Sequence, residues 1–146
     1  MRRLAALIAL TLGMLLPADA GAGEPYAGKG DGFEISFQVV TKGGEPTRIK
    51  DFRFRRVVMT CASGPTTQFK TRSLPPHFGP FRVNDEGRFG RTFTSDNQNF
   101  QGETVIRGEF VTKRRVDGTL KIAGDYPADG YADCTSSRLP WTARLS

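Results

Sequence analysis

The chain has 146 residues, with 21 Lys and Arg against 15 Asp and Glu, and a formal net charge of +6. A chain of this length forms one domain with a real hydrophobic core, which excludes a multidomain architecture. The basic balance, with both signs mixed, favours acidic partners without naming one.

The first twenty residues have the layout of a secretory signal peptide. Two arginines precede an apolar run, and Ala18 and Ala20 fit a small-residue cleavage site. The run is shorter than the roughly 20 residues that span a bilayer as a helix. We predict a signal peptide over residues 1–20, cleaved between Ala20 and Gly21, and one mature domain over residues 21–146. The mature protein is then secreted or periplasmic, carries no membrane span, and keeps most of the positive charge.

Export bears on the two cysteines, Cys61 and Cys134. Paired thiols in an oxidising compartment form a disulfide, and an even count leaves no thiol over. A tetrahedral zinc site needs four ligands, and only one histidine, His77, is available to join the cysteines. A reactive cysteine needs a base beside it, and His77 lies in a proline-rich loop. We predict a structural disulfide between Cys61 and Cys134, with no metal and no cofactor.

The mature chain shows the alternation of short β-strands. In GFEISFQVV the apolar residues alternate from Phe33 to Val39, which predicts a half-buried strand. In RIKDFRFRRVVMTC the apolar residues change phase after Phe54. This slip predicts a β-bulge at Arg55 and Arg56 within one strand.

Two hairpins and a final pair of strands follow. Residues 84–87 predict a turn before a strand that contains Phe89 and Phe93. In ETVIRGEFVTKRRVDGTLKIAGDY, Asp117 and Gly118 predict the turn of a second hairpin. The last strands are expected around residues 131–135 and 141–145.

No mature segment carries an amphipathic helical stripe, and the turns are rich in Gly and Pro. The sequence predicts an all-β domain of about seven to nine antiparallel strands arranged as a β-sandwich. A closed up-and-down β-barrel of the lipocalin type is the alternative, because the hydrophobic pattern fits either architecture.

The series C…F…I-R-G-E-F…D-G-T-L…D-C-T-S…W-T-A resembles a group of small exported bacterial proteins that are all-β and have no assigned activity. The resemblance implies the fold and the bridge, and it brings no catalytic residues. The matching positions span most of the mature chain: Cys61, Ile106, Gly108, Phe110, Gly118, Thr119, Leu120, Cys134, Trp141 and Ala143.

The residues that could act as catalytic groups are explained better by structural roles. A Ser-His-Asp arrangement has to use His77, with Ser73 nearest in sequence, yet RSLPPH lacks the Gly-x-Ser-x-Gly turn of a nucleophile. Asp85 and Glu86 are sufficient as turn residues. The segment at Asp96 lacks the spacing and the glycine of a calcium loop. We predict no catalytic residues and no enzyme activity.

Basic residues are the most suggestive feature. Cations alternate with Phe52 and Phe54 in RIKDFRFRR, and more follow at a hairpin tip. Aromatic and basic surfaces bind single-stranded nucleic acid or anionic polymers, but these two rings are needed in the core. Outward charges on an edge strand also prevent aggregation, so a solvated edge is the alternative. The candidate anion-binding residues are Arg48, Lys50, Arg53, Arg55, Arg56, Lys113, Arg114 and Arg115.

Three functions are open. The first is an exported, non-enzymatic binding module that uses loops at the ends of a rigid β scaffold. Its expected partner is an anionic polysaccharide or another envelope component, and not nucleic acid. The second is a barrel that carries a small apolar ligand. The third is a secreted hydrolase or protease inhibitor that uses the loop at residues 73–80. We favour the first.

Overall fold

The computed structural model describes residues 23–71 and 78–146, and 71% of these residues are in β-strands. The predicted all-β fold is confirmed. The predicted signal peptide, and the loop residues Ser73 and His77, lie outside the described residues. The described strands are β1 (Glu24–Gly30), β2 (Glu34–Lys42), β3 (Glu45–Arg55), β4 (Val58–Ser63), β5 (Gln68–Lys70), β6 (Phe81–Arg82), β7 (Arg88–Asp96), β8 (Gln101–Thr112), β9 (Arg115–Tyr126), β10 (Tyr131–Thr135) and β11 (Leu139–Leu145), with one 3₁₀ turn at Pro127–Asp129.

Hydrogen bonds join these strands into one antiparallel sheet that is not closed. The strand order is β5-β4-β10-β9-β11-β1-β2-β3-β6, and β8 and then β7 extend from β9. Along one edge β9 pairs with β8, and along the other it pairs first with β11 and then with β10. The described strands therefore do not form the closed barrel that was the alternative. Eleven strands also exceed the predicted seven to nine, because β6 is too short for an alternation to show in the sequence and β1 has a single buried hydrophobic residue.

Aromatic rings bring the two ends of this sheet together. Phe81 on β6 contacts Phe89 and Phe93 on β7, with ring centroids 5.7 and 5.4 Å apart. Phe37 on β2 contacts Phe89 at 6.3 Å and Trp141 on β11 at 6.0 Å. Because β6 and β7 terminate different branches of the strand order, these contacts show that the sheet curls and brings its two ends together around one core.

The change of phase after Phe54 marks a break between strands and not the predicted bulge at Arg55 and Arg56. β3 ends at Arg55, Arg56 has a φ of 64°, and β4 then pairs with β5 and β10 in another part of the sheet. A bulge does occur within β3, at Asp51, whose φ is 52°. The extra residue there lets both Ile49 and Phe52 face the core.

The predicted turn at Asp117 and Gly118 is also wrong, because both residues lie inside β9. The chain turns instead at residues 113–114, between β8 and β9. Gly118 has a packing role: a Cβ atom there would lie 2.2 Å from Cζ2 of Trp141 and 2.2 Å from the carbonyl oxygen of Arg107. The Asp-Gly pair that usually marks a turn is here a site of close packing between strands.

The predicted disulfide is confirmed. Cys61 on β4 and Cys134 on β10 are paired directly across the two strands, and their sulfur atoms are bonded. Both residues are buried. The bridge closes a loop of 73 residues, and it fastens the β4–β5 part of the sheet to β10.

Replacing both cysteines, as Cys61→Ala with Cys134→Ala, should lower the free energy of unfolding by about 4 kcal/mol, because the loop that opens in the unfolded chain is long. Urea unfolding followed by far-ultraviolet circular dichroism measures this difference. Wild-type protein treated with dithiothreitol is the matched control and should unfold at a similar urea concentration. Equal stability of the variant and the oxidised protein would contradict a structural role for the bridge.

Gly118→Ala should destabilise the fold by roughly 1–3 kcal/mol, because the added methyl group overlaps the ring of Trp141 and backbone that cannot move away easily. Trp141 is the single tryptophan, so the near-ultraviolet circular dichroism of its indole should change as well. Lys121→Ala, at an exposed position of the same strand, is the control and should stay within about 0.5 kcal/mol of the wild type. An unchanged indole signal in Gly118→Ala would show that the contact is not tight.

Candidate anion-binding surface

The predicted cations on β3 point away from the core. Arg48, Arg53 and Arg55 are exposed and Lys50 is half-buried, whereas the alternate residues Ile49, Phe52 and Phe54 are buried. Phe52 and Phe54 are 0% and 5% exposed, so they are unavailable to stack on a ligand, as predicted. The outer face of β3 is therefore basic but not aromatic.

At the far end of β3 the positive charge is compensated. The Arg55 guanidinium donates to the Glu34 carboxylate, and an Arg56 nitrogen lies 3.7 Å from the same group. Arg53 lies one alternation nearer the middle of the strand, opposite Ser36 of β2. The five cations predicted in this stretch thus do not form one continuous unpaired ridge.

At the other end of β3, two arginines face each other. Arg48 is the direct cross-strand neighbour of Arg82 on β6, and both side chains are exposed. Lys50 follows two residues along on the same face. Within the described residues, neither Arg48, Arg82 nor Lys50 has a carboxylate at ion-pair distance. Since like charges placed directly opposite each other destabilise a sheet, this arrangement costs folding energy. We call Arg48 and Arg82 the basic pair.

Sequence reasoning missed Arg82. Phe81 and Val83 on either side of Arg82 are buried. This short alternation of apolar and charged residues is the signal in the sequence that indicates an outward-facing Arg82. Its position opposite Arg48 depends on the pairing of β3 with β6, which the proline-rich segment before β6 conceals.

The tip of the β8–β9 hairpin brings the second predicted group of cations to the same end of the molecule. The Lys113 ammonium group lies 2.7 Å from the Glu45 carboxylate at the start of β3. The hydroxyl of the buried Tyr26 donates to the Lys113 carbonyl oxygen at 2.5 Å, which holds the tip in place. Arg114 is exposed, and among the described residues its side chain has no ion-pair partner.

Arg115 is engaged on the outer face of the sheet. Its guanidinium donates to both oxygens of Asp117, at 3.0 and 2.8 Å, in the two-pronged geometry that suits a carboxylate. The Thr142 hydroxyl donates to the same carboxylate at 2.9 Å. The hydrogen bond from Arg115, with the smaller contribution of Thr142, holds the pKa of Asp117 below its ordinary value, against the opposing effect of burial.

Three turns enclose a concave site at this end, which we call the end cleft. It has a volume of about 600 Å³ and is lined by residues 45–47, by residues 82–87, and by Phe110, Thr112 and Lys113. Its walls come from the start of β3, the β6–β7 turn and the β8–β9 hairpin. Arg82 belongs both to the basic pair and to the wall of this cleft.

The turn predicted at residues 84–87 forms, but the two strands it joins do not pair as the predicted hairpin, because β6 pairs with β3 and β7 with β8. The Asn84 side-chain oxygen accepts hydrogen bonds from the backbone N–H groups of Glu86 and Arg88, at 3.1 and 2.8 Å. The Glu86 carboxylate pairs with Arg88 at 3.0 Å. The carboxylates of Asp85 and Glu86 therefore project from a turn fixed by Asn84, at the rim of the end cleft.

In the part of the chain that the structure describes, the other candidate catalytic and metal-binding groups do not come together in one site. The Asn97 side chain closes its own loop by accepting from the N–H groups of Asn99 and Phe100. Residues 23–71 and 78–146 hold no group of three or more His, Cys, Asp or Glu side chains placed to share a metal ion. The same residues include no helix with the length and apolar character needed to cross a membrane.

Comparison of the chain with models of protein families, with characterised proteins and with solved structures finds no match. The resemblance to small exported bacterial proteins therefore stays a prediction. The candidate site stands on its own geometry: the basic pair, the compensated cations around it, and the end cleft.

Replacing Arg115 should release the pKa of Asp117. In Arg115→Gln the carboxyl pKa should rise toward its ordinary value, and in Thr142→Val it should rise by less, because Arg115 is the larger cause. Carboxyl carbon shifts in a pH titration by NMR measure both. The lowered pKa means that the contact stabilises the fold above the ordinary carboxyl pKa and that this contribution is lost as pH falls through the folded-state pKa.

Asp117→Asn should accordingly reduce stability at neutral pH, and the difference from the wild type should shrink in acid. Asp31→Asn, at an exposed turn, is the control. An Asp117 titration that is the same in Arg115→Gln as in the wild type would contradict the assignment.

Proposed function

We propose that the protein is an exported, non-enzymatic binding module for an anionic polysaccharide or a similar acidic component of the cell envelope. The observation that carries the proposal is the basic pair. Two exposed arginines lie in direct cross-strand register, and no described carboxylate compensates them. A ligand carboxylate or sulfate placed between them would relieve their repulsion, and guanidinium groups bind such anions with paired hydrogen bonds.

The surrounding charges support a localised site. Arg55, Arg56 and Arg115 are paired with carboxylates of the protein, so they are less available to a ligand. Arg48, Arg82 and Lys50 have no such carboxylate partner among the residues that the structure describes. A cation cluster without internal partners, beside neutralised ones, is the pattern expected when an external anion completes the site.

Export is part of the proposal. The first twenty residues carry the pattern of a cleaved signal peptide. The disulfide between Cys61 and Cys134 is of a kind that persists outside the cytoplasm. Both features agree with a secreted or periplasmic protein that meets envelope polymers.

The two other functions have less support. Around Phe37, the rings of Tyr26, Phe52, Phe89 and Trp141 have centroids 5.4 to 6.3 Å away, and they fill the space that a carrier would need. The loop proposed for a hydrolase or inhibitor, residues 73–80, lies largely outside the described residues. The first proposal is therefore the one that the described geometry supports.

The test compares two variants that lose the same charge. Arg48→Gln with Arg82→Gln removes the basic pair, and Lys121→Gln with Arg138→Gln removes two exposed cations elsewhere. The wild type should be retained on a heparin column and should bind polygalacturonate. The basic-pair variant should elute at lower salt and bind polygalacturonate at least about tenfold more weakly, because it loses charge-assisted hydrogen bonds.

The control variant should stay close to the wild type. Equal losses in both variants would mean that only overall charge attracts the polymer. Absence of retention and of polygalacturonate binding by the wild type at low salt would end the proposal.

A further inference from the structure

We propose that the end cleft binds one carboxylate-bearing sugar unit, such as a uronic acid, of the anionic polysaccharide. This inference rests on the proposed function and names the class of monomer. The cleft volume of about 600 Å³ lies within the range of roughly 300–1,000 Å³ seen for small-molecule sites. The cleft also adjoins the basic pair through Arg82, so one polymer chain can occupy both.

Part of the cleft lining is apolar. Pro46, Val83 and Phe110 contribute to its lining. Phe110 is half-buried, and its ring lies 6.1 Å from Tyr26 and 6.2 Å from Phe89, so the ring is held in a fixed position. A sugar ring has one face of C–H groups, which suits contact with a fixed apolar ring such as that of Phe110.

The rim of the cleft carries both signs of charge. Arg82 and Lys113 supply cations, and Glu45, Asp85 and Glu86 supply carboxylates. Carboxylate oxygens accept hydrogen bonds from sugar hydroxyls, and a cation binds the sugar carboxylate. Glu45 and Glu86 are paired with Lys113 and Arg88, so a polymer that has only anionic groups would be repelled mainly by Asp85. A neutral sugar would provide no anion for Arg82. A ring that carries hydroxyls and one carboxylate satisfies both sets.

The ion pair between Lys113 and Glu45 lets the rim adapt. Both side chains are 67% exposed, and exposed ion pairs of this kind contribute little to stability. Lys113 can therefore exchange the Glu45 carboxylate for that of the ligand at small cost, which leaves Glu45 to accept from a hydroxyl.

The decisive experiment asks whether removing carboxylates from the rim of the cleft weakens or strengthens the binding of each anion. Asp85→Ala with Glu86→Ala removes two carboxylate acceptors and makes the net charge more positive by two, and Asp31→Ala with Asp129→Ala makes the same charge change at exposed positions on other turns. The probes are tetragalacturonate, the corresponding neutral galactose tetramer and tripolyphosphate, each measured by isothermal titration calorimetry.

The rim variant should bind tetragalacturonate about tenfold more weakly than the wild type, although its net charge is more favourable, because hydrogen bonds to charged acceptors are lost. It should bind tripolyphosphate more tightly. The control should bind both anions slightly more tightly, and the galactose tetramer should bind the wild type poorly. Tighter binding of tetragalacturonate by the rim variant would overturn the cleft assignment.

Backbone amide shifts in the wild type provide a second measurement that does not depend on a variant. Tetragalacturonate should shift the amides of residues 84–87 and 112–113, and tripolyphosphate should shift mainly those beside the basic pair. Shifts confined to the basic pair with both probes would overturn the cleft assignment while leaving the proposed function intact. Failure of the wild type to bind any of the anionic polymers would instead remove the proposed function itself.

Discussion

The folding over of one open sheet depends on aromatic packing between its two ends. β6 and β7 are not paired by a ladder of hydrogen bonds. Instead, the ring of Phe81 contacts those of Phe89 and Phe93, and the ring centroids of Phe78 and Phe93 lie 5.0 Å apart. Aromatic pairs contribute beyond the area they bury, so a small number of rings can hold such a seam. Eleven phenylalanines in a chain of this length are consistent with that demand.

The same folding creates the candidate site. Once the sheet curls, the start of β3, the β6–β7 turn and the β8–β9 tip come to one end of the molecule, although they lie far apart in sequence. The Lys113–Glu45 ion pair and the hydrogen bond from Tyr26 to Lys113 show how closely these segments approach. A rigid core thus carries turns with exposed side chains, which is the usual division between scaffold and loops in β-domains.

Much of this architecture is visible in the sequence. The alternation around Phe37, the β6–β7 turn and the two cysteines identify an all-β, disulfide-bonded domain. The segment of β1 was not predicted as a strand, because Tyr26 is its only buried hydrophobic residue and glycines occupy two of its positions. The alternation of apolar and polar residues indicates which positions are buried. It does not identify β1, because this strand is held in the sheet mainly by hydrogen bonds to β2 and β11.

The errors share a physical cause. At Gly118 the sequence shows a turn residue, but the structure uses the missing side chain to admit the Trp141 ring from a neighbouring strand. At Arg56 the phase change looks like a bulge, but the chain moves to a different part of the sheet. For the same reason the sequence predicts only one residue of the basic pair, Arg48, and does not predict Arg82. Each case depends on which strands become neighbours, and that is decided by long-range packing.

The disulfide has a practical consequence that follows from its location. Cys134 is paired with Gly124, nine residues along β9 from Arg115, which is roughly 30 Å at about 3.3 Å per residue. The disulfide-linked part of the sheet, formed by β4, β5 and β10, is thus a suitable place to attach a label. Fluorophores, fusion partners or sensor surfaces attached there would leave the opposite pole of the molecule unobstructed.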